Sequence, residues 1–241
     1  MFSTARLRRT FRNGLTGLAA ISATVLIAAP ASASQPTKRQ APAPTAAVAQ
    51  PAPASPMSCT DHAIEAERQY QLPPGLLLAV SLVETGMGGK PRPLAINDDG
   101  RPVVPETLDE ARRHLRDPAG RLKTGLFVGC MQLSVTWHAQ NFKPVDRIVE
   151  PRENVFYAAR YLKRLRAEMG SWTKAIGRYQ GGSRSQRLAY ICKIHENLAE
   201  LEPRSAELID AAHCDRQARP AIAPETRRKF RDRQVAFLDL D

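Results

Sequence analysis

A mainly α domain is what this sequence predicts, on three observations. Apolar residues recur at helical spacing, most clearly in Val155, Ala158, Ala159, Leu162, Leu165 and Met169, which would share one helix face. Prolines and capping residues stand where helices begin, and glycines where they end. No alternating run is convincing enough to read as a strand.

Taken in order, the chain opens on Arg6, Arg8, Arg9 and Arg12, then an apolar run from Leu15 to Ala29, then Ala31-Ser32-Ala33. Basic start, apolar middle and small-residue cleavage site make residues 1–33 a signal peptide. Arg8-Arg9 fits a twin-arginine leader in part, with Leu7 where Ser or Thr is usual; the other reading is an ordinary Sec signal. The apolar run is shorter than the ~20 residues that span a bilayer, so a periplasmic mature protein with no transmembrane anchor is expected. Residues 34–57, SQPTKRQAPAPTAAVAQPAPASPM, have almost nothing to bury and read as a disordered linker that would reach roughly 70 Å in polyproline geometry.

Charge and cysteines bound the partners. The whole chain carries +11; without the four leader arginines, 31 basic residues face 24 acidic ones, leaving +7. Outside the cytoplasm such a balance suits wall polymer or lipid head groups, not nucleic acid. Cys59, Cys130, Cys192 and Cys214 fall in a chain expected to be exported, where disulfides persist. Three pairings are open, and one bridge with Cys130 as a buried free thiol is as compatible as two bridges. No CxxC or Cys/His spacing suggests a metal.

Helices are expected over 60–70 with Thr60 or Asp61 as cap, over LPPGLLLAVSLVE with the proline pair in its first turn, and over 106–115, 154–169, 172–179 and 187–198. Together they define a domain over residues 58–200, followed by a tail over 201–241 that is partly helical or disordered. Within the second helix, eight nearly unbroken apolar or small residues run into Glu84, and Gly86, Gly88 and Gly89 follow. The glycines place Glu84 at a helix C-terminus, where the negative pole of the macrodipole disfavours a second negative charge. Desolvation by the apolar stretch would act in the same direction. A carboxyl kept protonated near neutrality suits a general acid.

Four separated motifs carry a resemblance: VETG at 83–86, GCMQLS at 129–134, EPRENVFYAARYL at 150–162 and AIGRYQGG at 175–182, with AYICKI at 189–194 as a softer fifth. In this order they resemble the lytic transglycosylases with a soluble-transglycosylase, or goose-lysozyme-like, catalytic domain, of the type associated with secretion or flagellar assembly. The resemblance implies a lysozyme-like transglycosylase domain. It also implies cleavage of the MurNAc-GlcNAc β-1,4 bond of peptidoglycan without water, giving 1,6-anhydroMurNAc ends, with no cofactor and no metal.

Carried over residue by residue, Glu84 would be the single acid and base and Tyr179 the active-site tyrosine that orients it or steadies developing charge. Thr85, Gly129, Met131, Gln132 and Gln180 would contact substrate, Thr85 with backbone capping as its simpler role and Met131 with core packing. Ser134 and Gln180 depart from the family's asparagines. The long spacing from Glu84 to Gln132 leaves room for a small hairpin or loop insertion. Trp137 and Trp172 would either stack on sugar or pack between helices, while Asp98, Asp99 and Asp146 read as turn residues. The tail lies outside the resemblance and reads as solvated, or as a docking segment for a secretion-system or flagellar component. Residues 58–200 alone are expected to carry the chemistry.

Overall fold

The computed structural model describes residues 58–215 and 220–238; the expected signal peptide and linker lie outside them. Helix α1 is Cys59–Tyr70. Its cap is Ser58, not Thr60 or Asp61: Ser58 and Asp61 form a reciprocal capping box, so Asp61 belongs to the first turn. Helix α2, Leu76–Thr85, is buried on nearly every side, as a helix apolar all round must be.

The proline pair lies ahead of α2, because Gly75 at φ 82 breaks the chain direction and takes the cap position without a side chain to offer. The cap comes from α1. Glu67 accepts from the backbone N–H groups of Gly75, Leu77 and Leu78 at 2.8, 2.7 and 3.2 Å, so donors left open at a helix start are satisfied from eight or more residues away.

Between α2 and the next long helix lie four short strands, β1 Ile96–Asp98, β2 Arg101–Val103, β3 Leu126–Val128 and β4 Leu133–Ser134. They form one antiparallel sheet in the order β2-β1-β3-β4. The hairpin β1–β2 turns through Asp99 at φ 49 and Gly100 at φ 85, the two positive values of a tight primed turn. A hairpin insertion was foreseen, whereas individual strands were not: runs of two or three residues are too short to display alternation. Helices α3, Leu108–His114, and α4, Val135–His138, sit within this insertion and at its end.

Helix α5, Pro151–Met169, starts with proline at its first position and stops at Gly170, φ 79. Helices α6, Trp172–Gln180, and α7, Arg184–Leu201, follow with serine caps at Ser171 and Ser183. Helix α5 packs on α1 and α6, and α7 packs on α2 and α6, so α2 is enclosed. Asn154 of α5 is fully buried and ties the sheet to this core. Its amide donates to Val128 O and Ile148 O, and its oxygen accepts from Met131 N, each at 2.9 Å.

Both disulfides form: Cys59–Cys130 joins the start of α1 to the β3–β4 turn, and Cys192–Cys214 joins α7 to the segment beyond it. The free-thiol alternative for Cys130 is thereby overturned, since the first turn of α1 brings Cys59 against it. The solvated tail is corrected too. Helices α8, Pro203–Ala206, and α9, Pro224–Leu238, follow α7, and α9 packs on α1. Phe230 is only 2% exposed, while Lys229 and Arg233 reach the buried Asp61 at 2.6 and 3.2 Å. Ala223 N and Thr226 Oγ1 both donate to Gly89 O, at 3.1 and 3.0 Å.

Candidate active site

Glu84 occupies the last turn of α2, with Gly86 as C-cap. Its carboxyl reaches a hollow of about 410 Å³, where the sheet supplies Asn97 and Phe127, the β3–β4 turn Gln132, α6 Tyr179 and Gln180, and α7 Tyr190 and Lys193. Burial pushes its pKa up to about 7, against the opposing effect of a hydrogen bond from Tyr190. The Tyr190 hydroxyl donates to Glu84 Oε1 at 2.5 Å. Burial, then the nearby Glu84 charge, holds the Tyr190 phenol well above its ordinary range, so it stays a donor.

Tyr179 lines the same hollow, but its hydroxyl donates to Met131 O at 2.7 Å. The contact expected of Tyr179 on Glu84 is made by Tyr190. Tyr190 lies in AYICKI, the softest of the five motifs; two tyrosines eleven positions apart on successive helices look alike until packing orients them.

Of the expected substrate contacts, Gln132 and Gln180 face the hollow. Gln132 has φ 44, unusual for a residue other than glycine. Its amide is held by Ala95 O and Gly129 O at 3.0 and 3.2 Å. Gly129, Met131 and Thr85 do not line it. A Cβ at Gly129 would lie 2.5 Å from the Asn154 side chain, so this glycine makes room for asparagine and not for sugar. Met131 is fully buried in the core. Thr85 Oγ1 donates to Ser81 O and Cys130 O, at 3.1 and 3.3 Å, and accepts from Arg92 N at 3.2 Å, which is backbone capping.

Beyond Gln132 and Gln180 the hollow opens into a wider groove of about 720 Å³ that includes Trp137, His138, Tyr157, Tyr161, Arg164 and Arg178. Past Val83 a narrower recess of about 310 Å³ reaches Gly89, Glu196 and Pro220. Trp137 is 73% exposed on the wide groove, whereas Trp172 packs against the core with Arg166 over its ring.

No second carboxylate lines the hollow at Glu84 among the described residues. Asp98 lies in β1, paired with Lys123 at 2.6 Å and His114 at 3.1 Å. Asp99 forms the hairpin turn and Asp146 pairs with Arg116 at 2.8 Å. Cys192, His213 and Cys214 cluster, but the two sulfurs are bonded to each other, so that group offers no thiolate to a metal.

Helices wrapped around one buried helix, a small antiparallel sheet along a groove, and a single carboxyl at the groove floor define a lysozyme-like domain. The sequence pattern of the family described as Transglycosylase SLT domain matches residues 61–190. The chain belongs to this family, a transglycosylase family of the lysozyme-like superfamily whose substrate is peptidoglycan. The match ends on Tyr190, the residue that grips Glu84. Comparison with curated proteins and with solved structures finds no match. Among the described residues no helix is long and apolar enough to cross a membrane.

Proposed function

We propose that the protein is a lytic transglycosylase that cuts the MurNAc-GlcNAc β-1,4 bond without water and leaves 1,6-anhydroMurNAc ends. The observation carrying this reading is that Glu84, with its pKa near 7, is the one carboxylate among the described residues lining its hollow. Glycoside hydrolysis ordinarily employs two acids, one to protonate the leaving oxygen and one to act as nucleophile or to activate water. A single group suffices if the nucleophile belongs to the substrate.

Protonated Glu84 gives its proton to the glycosidic oxygen as the bond from C1 breaks. The C6 hydroxyl of the same muramyl residue then attacks C1 and returns a proton to the carboxylate. Tyr190 fixes which oxygen and which face of the carboxyl meets the sugar, and Gln132 and Gln180 offer amides to acetamido groups. Tyr179 acts one step back, holding the Met131 carbonyl and so the turn that carries Gln132.

We extend the reading to an exported enzyme, because residues 1–33 have signal-peptide order. Local wall opening for a secretion or flagellar assembly is the cellular role we assign. Mass spectrometry of products from purified peptidoglycan tests the chemistry. Muramyl ends one water lighter than reducing ends are expected; reducing ends would make the protein a hydrolytic muramidase, and no cleavage would leave it a wall-binding subunit.

A further inference from the structure

The wide end of the groove holds charge that glycan cleavage does not use. Arg164 and Arg178 line it, and none of the described lining residues is acidic. Arg164 sits 5.1 Å from the centre of the Tyr161 ring and has Glu168 at 3.6 Å, both members of that pair largely exposed. The Arg178 guanidinium has no hydrogen bond or ion pair among the described residues. Between them runs an aromatic wall in which His138 Nδ1 meets the Tyr157 hydroxyl at 2.9 Å. Burial, with the Arg164 charge, lowers the His138 pKa, so the two guanidinium groups are the cations of this segment at neutral pH.

This segment is continuous with the Glu84 hollow, the two sharing Phe127, Gln132, Tyr179 and Gln180. A ligand that crosses Glu84 and fills both meets the carboxyl at one end and two guanidinium groups at the other. The glycan backbone of N-acetylated sugars is neutral; the free carboxylates of peptidoglycan sit on the peptide stems that branch from muramic acid. We propose that the groove from Trp137 to Arg178 is a stem-peptide subsite, with Arg164 and Arg178 pairing stem carboxylates and Trp137 covering the apolar part of the peptide. Planar guanidinium groups suit such carboxylates because they give two parallel donors. The subsite rests on the substrate class proposed above, and it separates recognition of the branch from chemistry on the backbone.

The test uses the Glu84→Gln protein, so that binding is read without turnover. Soluble glycan strands carrying their peptide stems are titrated against the same strands stripped by an amidase. Tighter binding of stem-bearing strands is expected, with about a tenfold loss of that affinity in Arg164→Gln/Arg178→Gln, the size of two exposed charge pairs together. Stripped strands should bind the two proteins equally, which also reports that the double variant is folded. Equal loss on both strands, or no loss on either, overturns the subsite. Cleavage by the Glu84 form is measured separately: a protein that binds stems in this way but does not cut refutes the proposed activity and leaves the subsite standing.

Discussion

Glu84 and Tyr190 meet across the groove floor, and under the proposed activity burial, tempered by this contact, sets the pH at which Glu84 can serve as an acid. Burial raises the Glu84 pKa to about 7 while the Tyr190 hydrogen bond, which favours the charged carboxylate, pulls it down. The proton that must be given away is present below that value, so cleavage should fall as pH rises through about 7; a pH–rate profile flat from 5 to 9 would remove Glu84 as general acid. Glu84→Gln should lower turnover by about 10³-fold or more, as loss of a general acid does, with binding of peptidoglycan retained. In Tyr190→Phe the descending limb should move to higher pH and kcat should drop, because the donor that lowered the pKa and oriented the carboxyl is gone. Tyr179→Phe should leave that limb in place and show its effect in stability. Glu84 stood out through the VETG resemblance, with its helix position and the glycines after it pointing the same way but not sufficing alone. Which tyrosine grips it was not, because the orientation of α7 relative to α2 depends on packing that no local spacing encodes.

Among the elements, the β3–β4 turn depends most on one side chain. Asn154 satisfies two carbonyls and one N–H in a place water does not reach, and Gly129 exists in the sequence to admit it. Asn154→Ala should cost about 2–4 kcal/mol, since truncation leaves several buried groups unpaired, and should lower activity through Gln132, three residues beyond Gly129. Thermal unfolding and KM measured together check this: a variant as stable as the parent would mean water replaces the amide. The motif holding Asn154 was visible in the sequence, as were the long helices, because their 3.6-residue period repeats several times. The sheet was visible only as an insertion. Its strands get their stability from Asn154, the Cys59–Cys130 bridge and each other, all of them partners distant in sequence.

For the whole molecule, the boundary near residue 200 has to be redrawn in physical terms. The residues after α7 bury Ile209, Ile222, Ala223 and Phe230, and they place Pro220 and Ala221 along the recess beside Val83. Gly89 is shaped for them: a Cβ there would lie 2.2 Å from Ala223 N and 2.3 Å from Ala221 O. The glycines after Glu84 thus do more than stop a helix. Phe230→Ala should cost about 3–5 kcal/mol, the usual toll of emptying a buried aromatic site, and a chain cut after Asp215 should cleave isolated wall more slowly than the full chain, because the loop behind Glu84 loses its brace. Equal rates for the cut and full chains would restore residues 58–200 as the self-sufficient unit. The tail was illegible because its apolar residues are few and widely spaced, and the surfaces that bury them, among them α1, the Gly75 turn and the Gly89 loop, lie more than a hundred positions away in sequence.

Asp61 and Lys229 bond across 168 positions, which has a meaning in time as well as in space. A ribosome makes α1 well before α9, so α1 stays uncovered on that side while the intervening residues are synthesised, and the native contact forms only after residue 229 has emerged. Contacts this distant are slow to close because their loop entropy is lost before they contribute anything. Nascent chains arrested at increasing lengths should therefore remain protease-sensitive in α1 until residue 229 has left the exit tunnel, and become resistant in one step afterwards.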